Sequence, residues 1–242
     1  MGTSKGYVAP TSAEWGTLKG TVTRLARQSS ISSTEAKEVL GQYVSALGGA
    51  RASARSSGLA GGSGAQDVAR RVADFINAVS QQGLAESYQK AGLGELAGKA
   101  TEEVVHSILD YLGGPGSTFD EVDGRHAEIL LMAELLEGAD TILDVEARLA
   151  ALAMPSELAT LLTKFFGFYI FEQFNRVYYE RLVQRIGAAK AERFLGQIKD
   201  FIREELRSQT FDLDITKVDW SGEQGKQIAT EIFERTLHVF GG

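Results

Sequence analysis

Between Ser156 and Ile186 the chain reads SELATLLTKFFGFYIFEQFNRVYYERLVQRI, its most apolar and most aromatic stretch. Phe165, Phe166, Phe168, Tyr169, Ile170, Phe171 and Phe174 leave no polar stripe through the middle turns. In a chain that stays in water, such a helix has to be covered on most sides by other elements. The rest of the sequence must therefore supply helices or sheets to surround it. Low proline, no cysteine and abundant Ala, Leu and Glu favour helices. The expected fold is all-α: a multi-helix bundle around this long central aromatic-rich helix, preceded by an N-terminal arm.

Periodicity and capping signals divide the remainder. Residues 1–10, MGTSKGYVAP, carry glycine and proline without periodicity and read as a flexible arm. Capping boxes, in which a Ser or Thr hydroxyl and a Glu three residues on satisfy each other's backbone N–H groups, are expected at Thr11/Glu14, Ser32/Glu35 and Thr118/Glu121. Ser221 to Gln224 reads as the cap of a last helix. Helical spacing further predicts helices over about 65–82, 84–91, 93–97, 101–112, 142–153 and 188–206. Leu213 and Ile215 alternate in a way that suits a brief extended segment. Residues 48–64, GGARASARSSGLAGGSG, read as a Gly/Ser/Arg loop. Of the twelve phenylalanines only Phe75 precedes residue 119, so 11–115 is read as a small-residue-rich helical subdomain and 116–242 as the aromatic-rich core.

Composition removes several chemistries. Without cysteine there are no disulfides, thiolate zinc sites, iron-sulfur clusters or cysteine nucleophiles. No window offers the roughly 18 uninterrupted apolar residues of a membrane span, and the N-terminus has no signal-peptide core, so a cytoplasmic protein is expected. The net charge of −7 hides a local excess of cations in residues 1–71. Arg24, Arg27, Arg51, Arg55, Arg70 and Arg71 lie there. They admit a nucleic-acid-associated adaptor as one functional class, with Arg51 and Arg55 as candidate phosphate or partner contacts.

Catalytic motifs fit poorly. The run from Ala91 to Thr101, AGLGELAGKAT, has the wrong glycine spacing for a phosphate loop and Ala100 where the magnesium-binding hydroxyl belongs. Glu103/His106 has the Glu-x-x-His spacing of di-iron bundles, with Asp123/His126 a poorer second copy near Glu128 and Glu172, so a di-iron enzyme forms a third class. Glu172, Arg176 and Glu180, at i, i+4 spacing, are expected to pair along the central helix, with Tyr169, Glu172, Arg176 and Tyr179 as the alternative, a pocket. No catalytic residue, metal or cofactor is assigned, and the chain reads as a non-enzyme.

The arm opens Met1-Gly2-Thr3-Ser4. A small second residue permits removal of the initiator methionine, leaving an unhindered glycine amine whose pKa near 8 keeps a neutral, nucleophilic fraction. Gly6 stands where a myristoylation signal requires Ser or Thr. This opening, an arm ending at Pro10 and a helical body of this length resemble QatB-like proteins of bacterial Qat anti-phage defence systems. The chain departs from the glycine-rich continuation of that family at Lys5-Gly6-Tyr7-Val8, so a related family served by the same kind of enzyme is the alternative. The resemblance implies an adaptor encoded with an ATPase, a 7-cyano-7-deazaguanine synthase-like enzyme and a TatD-like nuclease. It further implies that Gly2 is the acceptor joined to a deazaguanine base, with Thr3 and Ser4 placing it in the partner's active site.

Overall fold

A computed structural model describes residues 12–56, 62–209, 211, 213, 215 and 218–241. Among them are eleven helices and no strand: α1 (Ala13–Leu25), α2 (Ser33–Ala46), α3 (Ala50–Arg55), α4 (Ser63–Gln82), α5 (Leu84–Lys90), α6 (Thr101–Gly113), α7 (Phe119–Leu135), α8 (Ile142–Ala151), α9 (Pro155–Ile186), α10 (Ala188–Arg207) and α11 (Glu223–Gly241). The all-α expectation holds.

The aromatic stretch is α9, about 48 Å long at 1.5 Å per residue. Proline at its first position and Gly187 in the left-handed region just past its end set its limits. Phe165, Phe166, Tyr169, Ile170 and Phe174 are fully buried. Helices α10, α7, α11 and α4 cover it. Phe166 stacks on Phe233 of α11 with ring centroids 4.9 Å apart, and Tyr169 meets the same ring edge-on at 5.4 Å. Helix α10 approaches closely because Gly167 lacks a side chain: a Cβ there would lie 2.4 Å from Leu206 Cδ1. One hydrophobic cluster runs from Trp15 to Phe240.

The boxes at Ser32/Glu35 and Thr118/Glu121 form as expected. A further box, Thr141/Asp144, starts α8; its acid is an aspartate, one methylene shorter than the template. Thr11 lies outside the described residues, and Ser12 is the N-cap of α1. At α11 the acceptor is Asp219, not Ser221: its Oδ1 takes the N–H groups of Ser221 and Gly222 at 3.1 and 3.2 Å.

Two local readings need correction. Part of the 48–64 stretch is helical: Gly49 turns the chain at φ +88°, and Ala50–Arg55, rich in helix formers, packs against α11. Residues 57–61 of that stretch lie outside the described set. The segment 93–97 is not helical, because Gly92, Gly94 and Gly98 adopt φ of +78°, +90° and +79°, which interrupts every helical run there. Among the described residues around Leu213 and Ile215 no strand forms.

Candidate functional site: a polar seam between two helices

Buried polar groups gather where α7 crosses α9. Tyr169, Gln173 and Arg176 fall at i, i+4 and i+7, on one face of α9; Asp120 and Asp123, three apart on α7, oppose them. The Tyr169 hydroxyl donates to Asp120 Oδ1 and accepts from Gln173 Nε2 at 2.6 Å. Asp120 Oδ2 meanwhile accepts the Gly64 backbone N–H at 2.5 Å and the Ser63 hydroxyl at 3.3 Å, so an α7 carboxylate caps the start of α4. Gly64 permits this approach, since a Cβ would sit 2.9 Å from the Glu121 nitrogen.

One turn along, Asp123 holds Arg176. The guanidinium reaches both carboxylate oxygens, Nε at 2.9 to 3.0 Å and one terminal nitrogen at 2.8 Å. The guanidinium carbon lies over the Phe119 ring, 5.3 Å from the centroid. Burial pushes the Asp123 carboxyl up, and Arg176 pulls it back. Burial likewise raises Asp120 against the hydrogen bonds it accepts, and raises Tyr169 well above the usual phenol range. At the solvent edge His126 Nδ1 stands 3.6 Å from Glu172, whose carboxyl is also raised by burial. Behind α7, Glu128 is wholly buried, neither oxygen has a hydrogen-bond partner among the described residues, and burial pushes it up to about 8. Beside it, Arg71 donates to the Leu112 carbonyl at 2.7 Å, and Arg125 pairs with Asp110 and donates to Gly114 O at 3.3 Å.

These facts revise the expected strip along α9. Arg176 pairs across to Asp123, Glu172 faces His126, and Glu180 accepts from Gln184. The four residues offered as a pocket are not gathered: Tyr169 is buried against Asp120, and Tyr179 bonds Glu192 on the surface at 3.5 Å. Asp120 escaped the sequence reading, which met Asp123 and Glu128 only as candidate metal ligands and not as parts of a seam. The visible signal was the Asp120/Asp123 spacing at the start of a helix, but their partners lie about 50 residues away.

The other candidates separate as well. Gly2, Thr3 and Ser4 lie outside the described residues. Arg51 and Arg55 sit on α3, where Arg51 is exposed and Arg55 pairs with Glu234 of α11 at 3.6 Å. Arg55, Lys226, Thr230 and His238 border a groove of about 620 Å³. The amides of Gly48 and Gly49 do not face a phosphate: they donate to Ser45 O and Val44 O, closing α2. Arg70 donates to the carbonyls of Trp220 and Ser221, and Arg71 to that of Leu112, which withdraws both from the proposed nucleic-acid set. Glu103 and His106 are exposed, and Glu103 pairs with Lys99. Among the described residues no three His, Asp or Glu side chains converge to hold a metal ion, so the di-iron arrangement is not assembled.

A family model described as Qat anti-phage system associated protein QatB matches residues 48–240. The chain belongs to the QatB family. The match takes in α3 to α11 and hence the whole seam; α1, α2 and the N-terminal segment precede it. No curated protein and no solved structure matches the chain. QatB membership makes this an anti-phage defence protein, and the QatB-like resemblance of its opening residues agrees with the match to its body. No single helix among its described residues is long and apolar enough to cross a membrane.

Proposed function

We propose that the protein is the acceptor and adaptor of its defence system: Gly2, exposed by loss of Met1, is presented to a cytoplasmic 7-cyano-7-deazaguanine synthase-like enzyme and joined to a deazaguanine base. The observation that carries this reading is the match to a Qat anti-phage system associated protein over residues 48–240. In the reaction, the neutral glycine nitrogen attacks the electrophilic carbon of a base that the partner has activated. The C–N bond forms as the bond to the activating group breaks, that group leaves with the electron pair, and the amine releases a proton to solvent. Thr3 and Ser4 orient the amine, and the chemistry belongs to the partner. The system's ATPase and TatD-like nuclease act with the modified protein.

The geometry around the base of the N-terminal segment supports this. Trp15 near the start of α1 meets Tyr43 near the end of α2, so the two helices are antiparallel. Helix α1 therefore begins at the same end of the hairpin from which Gly48 and Gly49 lead into α3. Arg51 and Arg55 thus follow closely on the end of α2 and offer cations to a partner that receives the N-terminus.

A phage challenge tests the reading in cells. Gly2→Trp, which opposes methionine removal and crowds the amine, is expected to abolish protection when the whole system is expressed. Protection equal to the unsubstituted protein would contradict the acceptor role.

A further inference from the structure

Helix α6 turns into α7 through Gly114, Pro115 and Gly116, and two arginines hold that turn. Arg71 of α4 donates through Nε to the Leu112 carbonyl at 2.7 Å. Arg125 of α7 donates to the Gly114 carbonyl at 3.3 Å and pairs with Asp110 of α6. These bonds occupy carbonyls that a helix end leaves open. Both arginines lie against glycines: a Cβ on Gly114 would fall 2.7 Å from a terminal nitrogen of Arg71, and one on Gly113 would fall 2.8 Å from Arg125 Cγ. Glu128 stands three residues after Arg125, on the same side of α7. Helices α4 and α7 run side by side in the same direction, since Gly64 meets Asp120 while Ala65 and Val68 meet Gly124. Continued by one turn, that alignment brings Glu128 level with the part of α4 that carries Arg71. Glu128 is wholly buried, and neither of its oxygens has a hydrogen-bond partner among the described residues. The charged groups that face it are Arg125 from its own helix, Arg71 from α4 and Asp110 from α6. Glu121, in the first turn of α7, faces Arg71 in turn. A buried carboxyl without a donor is held as the neutral acid; the carboxylate needs a cation beside it. Arg125 already has Asp110, whereas Arg71 is bonded to a neutral carbonyl, so turning Arg71 breaks no ion pair.

We propose that Glu128 and Arg71 form a proton-operated latch on the turn between α6 and α7. With the carboxyl protonated, Arg71 stays on the Leu112 carbonyl and the turn is closed. When Glu128 gives its proton to solvent, the Arg71 guanidinium leaves that carbonyl and pairs with the carboxylate. One O–H bond breaks, a hydrogen bond to a neutral acceptor is exchanged for a charge-assisted one, and the Leu112 carbonyl is released. The released turn adjoins Ser117 and Thr118, which with Glu121 cap α7, and Asp120, where the seam begins. The latch therefore turns the loss of one proton into loosening at the entry to α7, inside the part of the chain matched to QatB.

The purified full-length chain is enough for the test. NMR follows three signals from pH 6 to 9.5: the Glu128 carboxyl carbon, the Arg71 Nε–H group and the Leu112 carbonyl carbon. All three are expected to move with one midpoint. Burial sets the Glu128 carboxyl at about 8, so the ionised fraction, and with it the fraction of each full change, rises about tenfold between pH 7 and 9. Glu128→Gln is expected to hold the Arg71 and Leu112 signals fixed across the range. Arg71→Met is expected to fix the Leu112 signal and to move the Glu128 midpoint upward, since the carboxylate loses its cation. Arg71 and Leu112 signals that stay fixed while Glu128 titrates overturn the latch, as does a Glu128 carboxyl that does not titrate in this range. Movement of the Arg125 Nε–H group in place of that of Arg71 overturns it too. The titration of the unsubstituted chain decides by itself, so the proposal stays falsifiable if either variant fails to fold.

Discussion

Asp123→Ala is expected to destabilise the protein by about 3–5 kcal/mol, the range found when one partner of a buried ion pair is removed. The Asp123 side chain is 3% exposed and that of Arg176 19%. Deleting the carboxylate leaves a guanidinium, fixed over Phe119 by its own helix, in a setting with little water to replace the lost charge. The deletion also removes bonds from two guanidinium nitrogens at once. Replacing both partners by apolar residues, Asp123→Leu with Arg176→Met, is expected to recover most of the loss, because the desolvation cost of two charges disappears with their attraction. Urea unfolding of the two single variants and the double variant measures the coupling. A double variant as unstable as the sum of the singles would show that the pair does not act as a unit. The role assigned to the seam is register: Asp120 and Asp123 let α7 dock on α9 in one alignment, with Tyr169 and Arg176 as the matching teeth.

Glu128 carries the second large effect, of opposite sign. Its carboxyl lies at about 8 in the folded protein against 4.5 when free, with burial as the main cause. Arg125 on its own helix and Arg71 from α4 oppose the rise, while Asp110 from α6 adds to it. The folded state therefore holds a proton that the unfolded chain gives up over the interval from 4.5 to about 8. The stabilisation linked to that proton is fully present below 4.5 and is lost as pH rises through about 8. Each pH unit across this window removes about 1.4 kcal/mol, so the total reaches roughly 3–5 kcal/mol. Glu128→Met, similar in volume and without charge, is expected to flatten the profile and to be the more stable protein at pH 8 by a few kcal/mol. Thermal melts from pH 5 to 8.5 on both proteins decide this. Parallel profiles would assign the pH dependence to other groups.

The fold was legible where local pattern and burial coincide. The aromatic run of α9 declared a covered helix, and the boxes at Ser32/Glu35 and Thr118/Glu121 marked two helix starts within a residue. Legibility failed where small residues decide. Ala50–Arg55 holds helix formers but stands in a Gly/Ser-rich run too short to fold alone, and it becomes a helix because α11 backs it. The seam was half visible. Spacing within α9 suggested that Glu172, Arg176 and Glu180 pair with one another, since neighbours at i+4 are the only partners that spacing can reveal. Their true partners, His126 for Glu172 and Asp123 for Arg176, come from α7. Glu128 stands in the sequence only as a carboxylate near a candidate metal pair, with no local signal of burial. Only the way α4 and α6 close over α7 buries it.

The match to QatB covers the helical body, residues 48–240, whereas the proposed chemistry lies ahead of it, on the Gly2 amine. The most direct measurement is the mass of that terminus. The chain, purified from cells that co-express the synthase-like partner, is measured intact, and its N-terminal peptide is fragmented. The account predicts loss of Met1 and a deazaguanine adduct on the Gly2 nitrogen. A terminus that keeps Met1, or a free Gly2 amine in the presence of active partner, would contradict it.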